Sequence, residues 1–324
     1  MTAIETMKAV RIHAFGGPEV LRYEEVPRPE PKTDQLLVRV HAAGVNPVDW
    51  KIRQGLLGQD PLPQVMGSDF SGVIEARGPD VQEFQVGEAV FGTVADESGS
   101  YAEYALTTVP QIARKPAALD HVQAAALPIA SMTAWQALFD KANLRDGQKV
   151  LIHAAAGGVG GFAVQFAKWK GAHVIGTASA QSHSFVKELG ADEVIDYRSA
   201  KFEELVKDLD VVLDTIGGET QERSLKVLKR GGILVSIVQP PSEQKAKAAG
   251  VRAVFMVSDA KHGDELARIA DLVVSGKVKV NVETVLPLSE ARKAQEQSQS
   301  GHTRGKIVLE VRPLNFVRGS SGGP

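Results

Sequence analysis

The 324-residue chain contains no cysteine. That absence excludes disulfide frameworks, thiolate zinc sites, CxxC redox pairs, iron–sulfur clusters and cysteine nucleophiles. Neither sign of charge is in excess: 37 basic residues stand against 39 acidic ones, which leaves no electrostatic footprint for nucleic acid or a membrane surface. Long hydrophobic runs are also missing. The nearest, residues 150–167, is interrupted by His153, Gln165, Gly157, Gly158, Gly160 and Gly161, and Val150 to Ile152 fits a buried strand better than part of a membrane span. The N-terminus, MTAIETMKAV, lacks the basic stretch followed by an apolar core that marks a secretory signal, so a cytoplasmic location is expected. Only 6% of residues are aromatic, too few to outline a substrate pocket.

What is present suits a soluble globular chain of two domains. Residues 1–128 are β-rich. Leu36, Val38 and Val40 alternate with Leu37, Arg39 and His41, predicting a strand with one buried face. Residues 70–76 and 89–94 form further short apolar runs between turn formers. From residue 129 to about 270, strand-like and helix-like segments alternate. Residues 149–153, 173–177, 193–196, 210–214 and 233–238 read as strands; residues 160–170, 185–189, 202–207 and 224–229 read as helices. Strands spaced by short helices pair in parallel through right-handed crossovers, giving a doubly wound α/β sheet. Residues 271–316 return to β-like segments (277–280, 306–311) around a helix at 288–297 and rejoin the first domain. Residues 317–324, VRGSSGGP, read as a disordered tail or a remnant unrelated to the fold.

The stretch VLIHAAAGGVGG, residues 150–161, has the character of a dinucleotide-binding turn. A strand turning sharply into a helix exposes backbone N–H groups to a pyrophosphate, and glycines keep side chains out of the way. Gly157 and Gly158 permit close approach, Val159 follows them, and Gly160 permits tight packing of helix on strand. Ala155 stands where the first glycine of GxGxxG is usual, an exchange expected to make the turn less easy to adopt. About 20 residues on, where NAD sites place an acid on the ribose, residues 176–183 (GTASAQSH) contain none. Ser179 and His183 can donate to a 2′-phosphate there, and Tyr197 and Arg198 can close over the same end. NADPH is therefore favoured over NADH.

Several ordered motifs then give the chain a resemblance to the medium-chain dehydrogenase/reductase superfamily, and within it to the zinc-independent NADPH:quinone oxidoreductases. They are GGPEVL at 16–21, AGVNPVDWK at 43–51, GSYAEY at 99–104, the AAAGGVG turn, GADEVIDYR at 190–198 and GKIVL at 305–309. The resemblance implies a GroES-like, β-rich catalytic domain from both chain ends, a Rossmann-type domain inserted between them, and a homodimer. It implies no metal site: Asn46 stands where zinc alcohol dehydrogenases carry a catalytic cysteine, Ser68 replaces a histidine, and the lobe holding structural zinc is missing.

Without a Lewis acid, simple alcohol oxidation is disfavoured. Hydride addition to a quinone or an α,β-unsaturated carbonyl spreads the new charge over a conjugated system, and mainly requires positioning and modest hydrogen bonding. By resemblance, Asn46 lies near the nicotinamide, Lys51 can steady a developing oxyanion, and Thr133 contacts the nicotinamide. The alternatives at these positions are an asparagine satisfying its own turn, a solvated lysine and a helix-capping threonine. Tyr101 is expected to pack the β domain. Ile216, in the DTIGG turn, and then Val238, Phe255 and Val257 are expected to line the nicotinamide side. The competing functions are an enoyl-thioester reductase and a non-enzymatic NADPH-binding structural or RNA-binding protein; nucleic acid is not an expected partner.

Overall fold

The computed structural model describes residues 5–58 and 61–311; the tail assigned to residues 317–324 lies outside them. The N-terminal part supplies β1 (Thr6–Ile12), β2 (Arg22–Pro27), β3 (Gln35–Val45), β4 (Gln64–Val65), β5 (Asp69–Arg77), β6 (Ala89–Thr93), β7 (Tyr104–Thr108) and β8 (Ile112–Arg114). Helix α1 (Pro47–Arg53) follows β3, and α2 (His121–Ala125) and α3 (Pro128–Trp135) follow β8. The middle alternates β9 (Lys149–Ile152), α4 (Gly158–Trp169), β10 (His173–Ala178), α5 (His183–Glu188), β11 (Glu193–Asp196) and α6 (Phe202–Leu205). It continues with β12 (Leu209–Asp214), α7 (Gly218–Ser224), β13 (Leu228–Ser236), α8 (Glu243–Ala249), β14 (Arg252–Phe255) and α9 (Gly263–Val274). Then come β15 (Val282–Pro287), α10 (Ala291–Gln299) and β16 (Lys306–Glu310).

Strands β9 to β14 form one all-parallel sheet in the order β11-β10-β9-β12-β13-β14. A sheet covered on both faces needs strands that are apolar throughout, and Val150, Leu151 and Ile152 are all fully buried. Strand alternation divides them between two cores. Val150, Ile152, Val174 and Leu213 pack on one face with residues of α3, α4 and α9, while Leu151, Ile175, Val212 and Leu234 pack on the other. Strand order reverses between β9 and β12, and that switch point opens a crevice at the carboxyl ends of the strands.

The chain ends meet in a second, seven-stranded sheet, β15-β16-β3-β5-β6-β8, with β7 also pairing β3. Strand β16 runs antiparallel to β3, setting Ile307 opposite Val45 and Val308 opposite Gly44, so Lys306 comes beside Asn46. The C-terminal strand thus rejoins the N-terminal sheet, as its β-like pattern predicts.

Three local expectations are corrected. Leu37 is buried together with Leu36 and Val38, so both faces of β3 are covered at this point and not one. The helix expected at residues 224–229 lies earlier, at Gly218–Ser224. Gly217 and Gly218, with φ of 80° and 54°, start it, and Leu228 already pairs with Leu209. Residues 277–280 form no strand; the carboxamide of Gln165 satisfies the Lys279 N–H and C=O instead, at 2.7 and 3.1 Å.

Candidate active site and nucleotide cleft

The turn after β9 uses its glycines differently. A Cβ at Gly160 would lie 2.2 Å from the Ala154 carbonyl oxygen, so only glycine lets α4 seat on its strand. A Cβ at Gly157 would meet only that same oxygen, at 3.3 Å, and the outer side of the turn is open. The left-handed position is Ala154, at φ 47°, not Ala155, so the alanine replacing the first glycine imposes no strain of its own. The first N–H groups of α4 have no partner within the helix and form the anion-accepting end of the turn.

In front of it lies a cleft of about 460 Å³, within the range of small-molecule sites. His153, Gly157, Thr177, Ser179, Tyr197 and Ile216 line it from the ends of the parallel strands, and residues 301–304 with Glu283 close the opposite side. Glu283 is the one acidic residue of the lining, against Arg198, Arg223 and Arg304. Arg223 is committed to Glu203 at 3.3 Å, and Arg304 lies 3.5 Å from Glu283. Arg198 has no carboxylate within ion-pair distance among the described residues and stays available to an anionic ligand.

His153 forms the buried floor. The Ser224 hydroxyl donates to the Thr220 carbonyl at 2.7 Å, so its oxygen accepts from His153 Nε2–H at 2.9 Å, and His153 Nδ1 accepts from the Thr177 hydroxyl at 3.1 Å. Burial pulls the imidazole pKa down to about 4, which keeps it neutral in this tautomer. It orders Thr177 and carries no charge into the cleft.

Behind the glycine turn, a buried polar cluster surrounds Asn46. Its Nδ2 donates to Asp69 Oδ2 at 2.8 Å, and its Oδ1 accepts from Lys306 Nζ. Lys306 also donates to the Val45 carbonyl at 3.1 Å and sits 3.9 Å from Asp69. Asp69 accepts the Ile129 N–H at the start of α3, at 3.2 Å. Asp49 reaches back to the Asn46 N–H at 2.8 Å and accepts the Tyr101 hydroxyl at 2.8 Å. Burial raises Asp49 to about 7 and Asp69 to about 6, against the lowering pull of their hydrogen bonds and of Lys306. Burial likewise lowers Lys306. The cluster adjoins the nucleotide turn: Gly305 N–H donates to the Ala156 carbonyl at 2.8 Å, and a Cβ at Gly158 would meet Lys306 Cδ at 3.0 Å.

Of the residues singled out from sequence, Gly157, Ser179, Tyr197 and Ile216 line the cleft, and Gly158, Val159 and Gly160 form the first turn of α4 behind it. His183 opens α5 with Nε2 buried; it, Val238, Phe255 and Val257 are not among the cleft walls. Thr133 is buried within α3 and does not cap it. Lys51 is half-buried, with Nζ 5.7 Å from the Trp50 ring. Tyr101 is fully buried, as expected of a packing residue. Sequence reasoning missed Asp49, Asp69 and Lys306 as one cluster, although Asp49 and Lys306 each lie in a quoted motif. It also missed Arg223 and the wall at 301–304, for which no local pattern exists.

Two family models match the chain: alcohol dehydrogenase GroES-like domain over residues 32–117, and zinc-binding dehydrogenase over residues 189–309. A quinone oxidoreductase of Mus musculus is 36% identical over 95% of this chain and 99% of its own length. Among solved structures, the quinone oxidoreductase from Coxiella burnetii superposes with a TM-score of 0.89 at 37% identity, covering 95% of this chain and all (100%) of that one. The quinone oxidoreductase of Escherichia coli, solved in complex with NADPH, gives 0.88 at 30% identity over 94% and 100%.

Proposed function

This chain belongs to the quinone oxidoreductase family of the medium-chain dehydrogenases/reductases, and from that footing we propose that it is an NADPH-dependent, zinc-independent reductase of quinones or α,β-unsaturated carbonyl compounds. The adenosine end of the cleft carries the cofactor assignment: Ser179, Tyr197 and an uncommitted Arg198 meet there, and no carboxylate from the parallel strands is among the walls. A 2′-phosphate needs cationic and hydroxyl donors, whereas an NAD ribose is ordinarily held by an acid. The open side of Gly157 and the first turn of α4 fit a pyrophosphate. The E. coli relative was solved with NADPH. In this division, residues 129–270 bind the nucleotide, and residues 1–128 with 271–316 form the catalytic unit.

When bound, NADPH supplies the hydride. Asn46 has four hydrogen-bonding positions, of which Asp69 and Lys306 take one donor and one acceptor; one N–H and one lone pair remain for ribose or substrate. The ammonium on Asn46 Oδ1 also disfavours a divalent cation there, which supports chemistry without zinc. Lys51 is not among the cleft walls, with its Nζ 5.7 Å from the Trp50 ring; its role in steadying the oxygen on which charge grows rests on the resemblance.

The test follows absorbance of NADPH and of NADH with quinones, enones and enoyl thioesters. We expect kcat/KM about tenfold or more higher with NADPH, a preference reduced by Arg198→Ala, and activity unaffected by a zinc chelator. A preference for NADH, or loss of activity to the chelator, would sink the proposal.

A further inference from the structure

Asp214 ends β12 and is completely buried, yet no basic side chain lies within ion-pair distance of it among the described residues. Its carboxylate is instead saturated by four donors. Oδ1 accepts the N–H groups of Ile216 and Gly217 at 3.0 and 2.8 Å; Oδ2 accepts the Ser236 hydroxyl at 2.8 Å and Gln221 Nε2 at 2.9 Å. Each carboxyl oxygen accepts two donors, whereas an asparagine would set its own NH2 against two of them. A buried polar group is costly unless it is hydrogen-bonded, and these four donors are what let a carboxyl group stand here.

The two oxygens serve different loops. Oδ1 shapes the turn after β12, where Ile216 faces the cleft. Oδ2 holds Ser236, the last residue of β13, and Gln221, whose Nε2 continues to the Gln239 carbonyl at 3.1 Å. The loops also touch: a Cβ at Gly217 would meet Gln239 Oε1 at 2.9 Å and Val238 Cγ2 at 3.1 Å. Both loops belong to strands on the far side of the switch point from β10 and β11. In such sheets the dinucleotide lies across that point, with its adenosine half over one pair of strand ends and its nicotinamide half over the other.

We propose that Asp214 is a positioning residue that locks the Ile216 and Val238 loops into a single geometry beneath the nicotinamide half of the cofactor. This role rests on the cofactor assignment above. Ser179 and Tyr197, under the adenosine half, are not among the donors to Asp214.

Calorimetric titration of Asp214→Asn and Ser236→Ala with NADPH and with 2′-phospho-ADP-ribose, which lacks the nicotinamide, separates the possibilities. Asp214→Asn should weaken NADPH by about tenfold or more while leaving 2′-phospho-ADP-ribose within about twofold. KM for NADPH should rise and kcat with a quinone should fall. Ser236→Ala keeps the carboxylate, should show a smaller effect with the same split, and decides the case if Asp214→Asn does not fold. Equal weakening of both ligands, or unchanged NADPH binding, overturns the positioning role. A wild-type protein that binds neither ligand overturns the cofactor assignment itself.

Discussion

Lys306 shows how much of this site depends on single atoms far apart in sequence. One ammonium holds the amide of Asn46, the carbonyl of Val45 and the field of Asp69. Replacing it with methionine strands a buried carboxylate and two acceptors, and breaking such a pair should cost about 3–5 kcal/mol in chemical denaturation. Asp49 supplies a pH test. Folding raises its carboxyl from 3.8 to about 7, so the folded chain holds that proton more tightly than the unfolded one. The stability this confers is complete at pH below the unfolded value and is lost as the pH rises through the folded one. Asp49→Asn removes the effect: denaturation across the pH range should show the variant gaining on wild type as the pH rises from about 4 to about 7 and holding level above that, and a constant gap across this window would refute it. Asn46 was legible in sequence because it sits in a recognisable motif. Its partners were not, because nothing in AGVNPVDWK announces a lysine that arrives on the last strand.

Among the elements, the glycine turn makes the sharpest distinction. Gly160→Ala drives a methyl into the Ala154 carbonyl and should destabilise the protein by about 1–3 kcal/mol, read from thermal or denaturant unfolding. Gly157→Ala meets nothing closer than 3.3 Å. Its melting temperature should stay near wild type while KM for the cofactor rises, because the methyl occupies the approach to the pyrophosphate. Equal loss of stability in both variants would contradict this division. Five of the six parallel strands were legible as short apolar runs, the central ones fully buried, as with Val150 to Ile152; β14 was not, because its residues are exposed or half-buried. The elements misplaced from sequence are those shaped by tertiary partners: Gln165 replaces a strand at Lys279, and a glycine pair moves α7 ahead of Ser224.

At the scale of the molecule, the homodimer that the family resemblance implies predicts a particle of twice the 34.6 kDa chain mass by light scattering; a monomer at micromolar concentration would contradict it. No helix among the described residues is long and apolar enough to cross a membrane. The two-sheet plan and the return of the C-terminal strand were visible in the alternation of patterns along the chain. The closing wall of the cleft was not, since residues 301–304 face Gly157 only through the pairing of β16 with β3. That wall is tied down by the hydrogen bond from Gly305 to Ala156. The width of the cleft at the glycine turn is therefore set jointly by two stretches far apart in sequence, so a change in how β16 pairs with β3 reshapes the turn without touching any of its residues.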